Sequence, residues 1–233
     1  MINIFKYSNL FFFSYYVIPV LGLISLTGLS IGFFLGLITV PLDFQQGLNY
    51  KIIFIHVPSA WVCMLIYLIM VSFAVLYLIY KIQVFYYISF ILCKLGLTFT
   101  FITLITGAFW GKPLWGTFWV WDARLTSVFI LFVIYLSIYF LNLLYLDNEK
   151  GMKYSSFFII FGFLNIPIIK YSVDWWSTLH QTASLSVSQT NGLHHSVFIA
   201  LMFIFISLLL LGVIYLLLEL KIKFLTLKSN SIN

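Results

Sequence analysis

The chain has 233 residues, of which 63% are apolar and only 8% are charged. A soluble domain carries about 25% charged residues, so this chain could not cover a water-exposed surface. The net charge of +6 does not mark a nucleic-acid binder, because the basic residues are scattered at the ends of apolar segments, where lysines flank membrane helices.

At roughly 20 apolar residues per crossing, the length suits one polytopic membrane domain over 1–233 with short loops. The first apolar stretch, from about Leu10 to Val40, is too long for the core of a cleavable signal. It is expected to form a first membrane helix over Tyr15–Val40. Five more spans are expected at Pro58–Tyr80, Tyr87–Phe109, Arg124–Leu146, Ser155–Tyr171 and His195–Leu220. The fifth is the shortest and contains Pro167, and the polar tail Lys221–Asn233 is too short for a domain. Cys63 and Cys93 fall in apolar stretches without metal spacing and read as small core residues. The bias towards Phe, Ile, Tyr, Lys and Asn fits an AT-rich genome such as an organellar one.

Basic residues set the expected orientation. With the N-terminus inside, the inner side receives Lys6, Lys81, Lys94, Lys150, Lys153, Lys221, Lys223 and Lys228, and the outer side Lys51, Lys112, Arg124 and Lys170. This excess predicts an all-α membrane protein of six transmembrane helices, with both termini on the cytoplasmic or matrix side. The loops Pro41–Val57, Trp110–Ala123 and Ser172–His194 then form the functional outer face. All seven tryptophans (Trp61, Trp110, Trp115, Trp119, Trp121, Trp175 and Trp176) lie in or beside these loops, as do His56, His180, His194 and His195. An aromatic belt enriches Trp at both interfaces, so a one-sided set asks for an aromatic or histidine-coordinated ligand on the outer face.

The densest stretch reads WGKPLWGTFWVWD from Trp110 to Asp122. Gly111, Pro113 and Gly116 are expected to interrupt helix there. A locally extended chain would put Trp119 and Trp121 on one face, as a platform for a planar apolar ligand or as an interfacial anchor. Asp122 suits the N-cap of the fourth helix. Arg124 lies in that helix's first turn, against the dipole preference, and either snorkels to the interface or meets a ligand carboxylate. His56 precedes Pro58, which is expected to open the second helix, and His180 follows Trp175-Trp176. Two such histidines suit both axial positions of a haem iron, or are structural interfacial residues. His194 and His195 are expected to cap the sixth helix. No phosphate loop, catalytic triad or carboxylate string is present, and ionisable residues avoid the helix middles.

The run from Trp110 to Ser127, WGKPLWGTFWVWDARLTS, resembles the tryptophan-rich WWD signature of the haem-handling proteins of cytochrome c maturation. Its ending Asp122-Ala123-Arg124-Leu125-Thr126-Ser127 is similar to the CcmC branch. Pro41–Gly47, His56-Val57-Pro58 and Asn165–Gln181 resemble the flanking outer loops of CcmC, in order and with matching spacing. The resemblance implies six helices with both termini inside. It implies transient, non-covalent binding of haem b on the outer face, and presentation of that haem to the chaperone CcmE. His56 and His180 would be the axial ligands, and Trp110, Trp115, Trp119, Trp121, Asp122 and Arg124 the rest of the haem site. No catalytic residue is implied. The implied partners are CcmE, the ABC-transporter subunits CcmA and CcmB, the small protein CcmD and the lipid bilayer, with a location in a mitochondrial or bacterial inner membrane. The rivals are a membrane cytochrome that keeps its haem, a haem lyase of the same superfamily, and a scaffold or transporter subunit without a cofactor.

Overall fold

In the computed structural model of the chain, residues 7–145, 148–176, 178–180 and 194–230 are described, without the side chains of 7–13 and 230. Lys6, Leu146, Ser177, Gln181 and residues 184–193 of the expectations above lie outside them. The described residues form α1 (Tyr7–Phe33) with a wider-wound π extension (Phe34–Thr39), a 3-10 turn (Leu48–Ile52) leading into α2 (Ile53–Tyr80), α3 (Gln83–Trp115), α4 (Ala123–Leu144), α5 (Glu149–Gly162), α6 (Asn165–Trp175) and α7 (His195–Asn230). Six segments are long and apolar enough to cross a membrane, α5 and α6 together making the fifth. The protein is an all-α integral membrane protein.

Proline chemistry accounts for the division of the fifth span. Pro167 sits in the first turn of α6, where its missing N–H needs no helical partner. The bond it would have made reaches back to Phe163, and the break falls at Phe163-Leu164.

Three sequence expectations are corrected. α2 begins at Ile53, not at Pro58, because the 3-10 turn feeds straight into it and Pro58 is accommodated inside. α3 runs through Gly111 and Pro113 to Trp115. Only Gly116 stops it, adopting φ +74° and donating its N–H to the Lys112 carbonyl, a left-handed helix end that suits glycine. The tail is helical to Asn230 because Leu220 and Phe224 are buried against the bundle. Lys94 of α3 pairs with Glu219 of α7 at 2.6 Å.

Two clusters hold the bundle together. The larger joins α2, α3 and α4 to α5, α6 and the far end of α7 through Tyr67, Met70, Leu131, Tyr135, Ile138, Met152 and Ile159, each almost fully buried. The smaller packs Phe54, Ala200, Leu201 and Ile204 beneath the chain at Val40. Lipid tails are as apolar as these side chains, so helix association depends on close packing and hydrogen bonds. Gly28 and Gly32 of α1 meet Ser207 and Ile204 of α7, while Ser25 donates to the Ser207 carbonyl at 2.9 Å. The Tyr67 hydroxyl donates to the Ile159 carbonyl at 2.9 Å, and that of Tyr135 to Cys63 at 2.8 Å. Cys63 and Cys93 are buried free thiols, as expected of small core residues.

Gly96 lies against the Tyr135 ring, and that ring cannot swing away because its hydroxyl is engaged on α2. Gly96→Leu is expected to cost about 1–3 kcal/mol through overpacking and to lower Tm in detergent. Gly22→Ala, with open space around the new methyl, should leave Tm unchanged. An unchanged Tm for Gly96→Leu would show that α3 and α4 do not pack as described.

Candidate functional site

The site lies at the end of the bundle where α2, α4 and α7 begin and α1, α3 and α6 finish. The chain first secures the loop after α1. The Lys51 ammonium donates to the Gly36 carbonyl at 2.9 Å and also to that of Val40, so a cation caps the carbonyl end of the π extension. Asp43 turns the loop by accepting from the N–H groups of Gln45 and Gln46 at 2.9 and 2.8 Å. That turn positions Gln46, whose side-chain oxygen accepts from Trp110 Nε1 at 2.7 Å.

His56 stands in the first turns of α2, half-buried against α3. The Trp110 indole meets its imidazole edge to face at 5.5 Å. Gly107 leaves room for the ring, since a Cβ there would lie 2.9 Å from His56 Cε1. On the same face of α3, Thr106 Oγ1 is 3.1 Å from His56 Nδ1. The Thr106 hydroxyl spends its only hydrogen on the Ile102 carbonyl at 2.7 Å, so towards His56 it accepts. That fixes the Nδ1–H tautomer and leaves the lone pair on Nε2.

His180 reaches the same state by another route. Its Nδ1 lies 3.0 Å from Asp122 Oδ2, and a carboxylate accepts only. The other oxygen of Asp122 accepts from the Leu125 N–H at 2.7 Å, capping α4. Asp122 is therefore the expected N-cap and, in addition, the orienting partner of His180. Burial, the largest influence, pushes the His180 pKa below its ordinary value even though the bond and charge of Asp122 pull it upward; Arg124 also pushes it down. The imidazole is held neutral at neutral pH, as a metal ligand must be. Trp115 packs edge to face on it at 5.2 Å.

His180 lies within electrostatic reach of His56, and Arg124 within reach of both. Among the described residues no side-chain hydrogen bond engages either Nε2, the Thr103 carbonyl also reaches the His56 ring, and Arg124 makes no ion pair, although Asp122 and Asp174 lie within electrostatic reach. Lys112 is otherwise engaged: it donates to the Gly116 carbonyl at 2.8 Å and lies over the Phe118 ring. Trp119 touches Trp121 at 5.4 Å, but the rings stand at 80°, so they form a corner instead of one flat plate. Trp121, Trp175 and Trp176 are exposed. Two buried polar atoms in this region, Trp119 Nε1 and Thr178 Oγ1, have no partner among the described residues, which leaves hydrogen-bonding capacity for a ligand.

The eight residues singled out in the sequence thus fall in one region. Thr106, Gln46 and Gly107 were missed. Thr106 and Trp110 share a face of α3 at i, i+4 spacing, a signal hidden by ending the third span at Phe109. His194 carries α7 as expected, its carbonyl accepting from Val197 and Phe198. Its Nδ1 lies 2.8 Å from Ser196 Oγ. No group of three or more potential metal ligands occurs among the described residues.

Fold and site together define a polytopic membrane protein with two neutral, oriented imidazoles and a tryptophan-rich surface at one end. The profile of the family described as "Heme exporter protein C", CcmC, matches residues 3–232. A "Putative cytochrome c biosynthesis ccmC-like mitochondrial protein" of Marchantia polymorpha is 48% identical over 194 residues, covering 83% of this chain and 81% of its own. Its namesake from Arabidopsis thaliana is 42% identical over 207 residues, covering 89% and 77%. The "Heme exporter protein C" of Escherichia coli K12 is 40% identical over 164 residues, covering 70% and 67%. The chain belongs to the CcmC family, and its role lies in haem handling for cytochrome c biogenesis. An inner-membrane location agrees with these mitochondrial and bacterial relatives.

Proposed function

We propose that this protein holds haem b transiently and without covalent attachment between His56 and His180, on the outer face of the membrane, and presents it to the chaperone CcmE. The observation that carries the proposal is the pair of fixed tautomers, each with its Nε2 lone pair unused. Bound haem supplies the iron that these two nitrogens would hold. Trp115 and Trp110 brace the imidazoles, Trp119 and Trp121 offer apolar surface to the macrocycle, and Arg124 offers a charge-assisted contact to a propionate.

Release is built into the same arrangement. His56 rests on a helix, whereas His180 lies beyond the end of α6, where among the described residues its ring is held by Asp122 and packed by Trp115. Segments with few buried contacts open more readily than packed helices. A chaperone docking beside the exposed Trp121, Trp175 and Trp176 could displace His180 while His56 still held the iron. The haem edge would then be accessible. CcmA, CcmB and CcmD are the expected neighbours, and no bond-making chemistry by this chain is invoked.

Orientation rests on the basic bias. Cysteine placed at Asn148 should label only from the inner side; labelling only from outside would invert the assignment. Carriage is tested by a pulse of labelled haem in membranes. Added haem-free CcmE should draw the label off this protein within the chase. Label that stayed put would refute the carrier role and favour a cytochrome that keeps its haem.

A further inference from the structure

At the opposite end of the bundle, α3, α4 and α7 enclose a second hollow of about 200 Å³. Its walls include Tyr86, Tyr87, Lys94, Asn142, Glu219 and Lys223. Asn142 is only 5% exposed; its amide nitrogen donates to the Ile138 carbonyl at 2.7 Å, yet among the described residues its buried side-chain oxygen has no partner. A buried acceptor left unmade is costly, so this atom calls for a donor arriving from the hollow. One water would satisfy it, but the space is far larger than the 10–15 Å³ that one water needs.

The charges around the hollow are mixed. Lys94 pairs with Glu219 at 2.6 Å, and Lys223 holds its ammonium 4.7 Å over the Tyr87 ring. A fitting occupant brings an anion to the two ammonium groups, and an N–H donor to Glu219 and the Asn142 oxygen. A phosphodiester linked to a primary ammonium has both.

Depth selects the source. At 1.5 Å per residue, Lys94 and Asn142 lie about 30 Å along their helices from Trp115 and Ala123. That is the thickness of the hydrocarbon layer, so the hollow sits where headgroups of the other leaflet lie. Basic pockets between membrane helices at this level take lipid headgroups.

We propose that this hollow is a headgroup site for a phosphatidylethanolamine molecule, with its ammonium on Asn142 Oδ1 and Glu219 and its phosphate on Lys94 and Lys223. The test is native mass spectrometry of the whole protein in mild detergent, supplied with phosphatidylethanolamine or phosphatidylcholine. Phosphatidylcholine carries the same phosphate but has no N–H. Phosphatidylethanolamine should be retained in preference, and Asn142→Leu should lower its retention about tenfold, the factor of one hydrogen bond to a charged group. Lys223→Gln should weaken both lipids, and the haem spectrum reports that each variant is folded. Equal retention of the two lipids would overturn the proposal, as would retention insensitive to both substitutions. So would binding of soluble phosphoethanolamine as tight as that of the lipid, which would mean a free phosphate ligand. Absence of any retained lipid would mean that water fills the hollow.

Discussion

His56→Ala combined with His180→Ala is expected to strip haem from the purified protein, and each single change to convert a six-coordinate spectrum into a five-coordinate or water-ligated one. Loss of an outer hydrogen-bond partner alone costs about 10–100-fold in metal affinity, so loss of an axial nitrogen should cost at least as much. The two singles should differ. His180 donates to a carboxylate and His56 to a hydroxyl, so His180 is the stronger donor to iron, and its removal should raise the reduction potential of the remaining haem more. Added imidazole should restore part of the spectrum in either single variant. His194→Ala is the control, because that ring is engaged by Ser196. A native spectrum from the double variant would show that the iron is held elsewhere.

Asp122→Asn should be nearly as damaging, because this residue orients His180. The carboxylate serves two donors at once, the Leu125 N–H and His180 Nδ1–H, one on each oxygen. An amide has one oxygen. If it keeps the helix cap, its NH₂ faces His180 and forces the other tautomer, placing a hydrogen on the Nε2 needed for iron. If it turns over, the cap is lost instead. Haem affinity should fall about 10–100-fold and the potential should rise, because the imidazole loses its anionic partner. Asp122→Ser separates the two duties: serine still caps a helix but supplies no charge to His180. It should fold like the native protein and still bind haem weakly. Native haem affinity in Asp122→Asn would remove Asp122 from the site and leave it as a cap alone.

Membrane character was legible throughout the sequence, because burial in lipid removes the alternation of polar and apolar residues that a soluble helix must show. The spans, the buried thiols and the N-cap at Asp122 follow from that and from local chemistry. The ends of the helices were less legible. Gly111 and Pro113 read as breakers, yet α3 passes through both. Gly111 is buried under the Trp115 ring, and Pro113 lies one turn from the end, where few bonds remain to be lost. Likewise Lys221–Asn230 reads as a polar tail, yet it continues α7, with Leu220 and Phe224 buried against the bundle.

By itself the sequence determined the solvent this chain folds in, the six crossings, and the eight residues that gather at one end. Those are properties of composition, spacing and local backbone preference, which act over a few residues. The tertiary structure alone decided which atoms face each other: that Thr106 and Asp122 turn the two imidazoles to the same tautomer, that Gln46 holds Trp110, and that Lys94 meets Glu219 across two helices. These partners lie 50, 58, 64 and 125 residues apart in the chain. Their pairing is fixed by how ridges and glycine notches seat the helices, a long-range consequence of packing that no local pattern encodes.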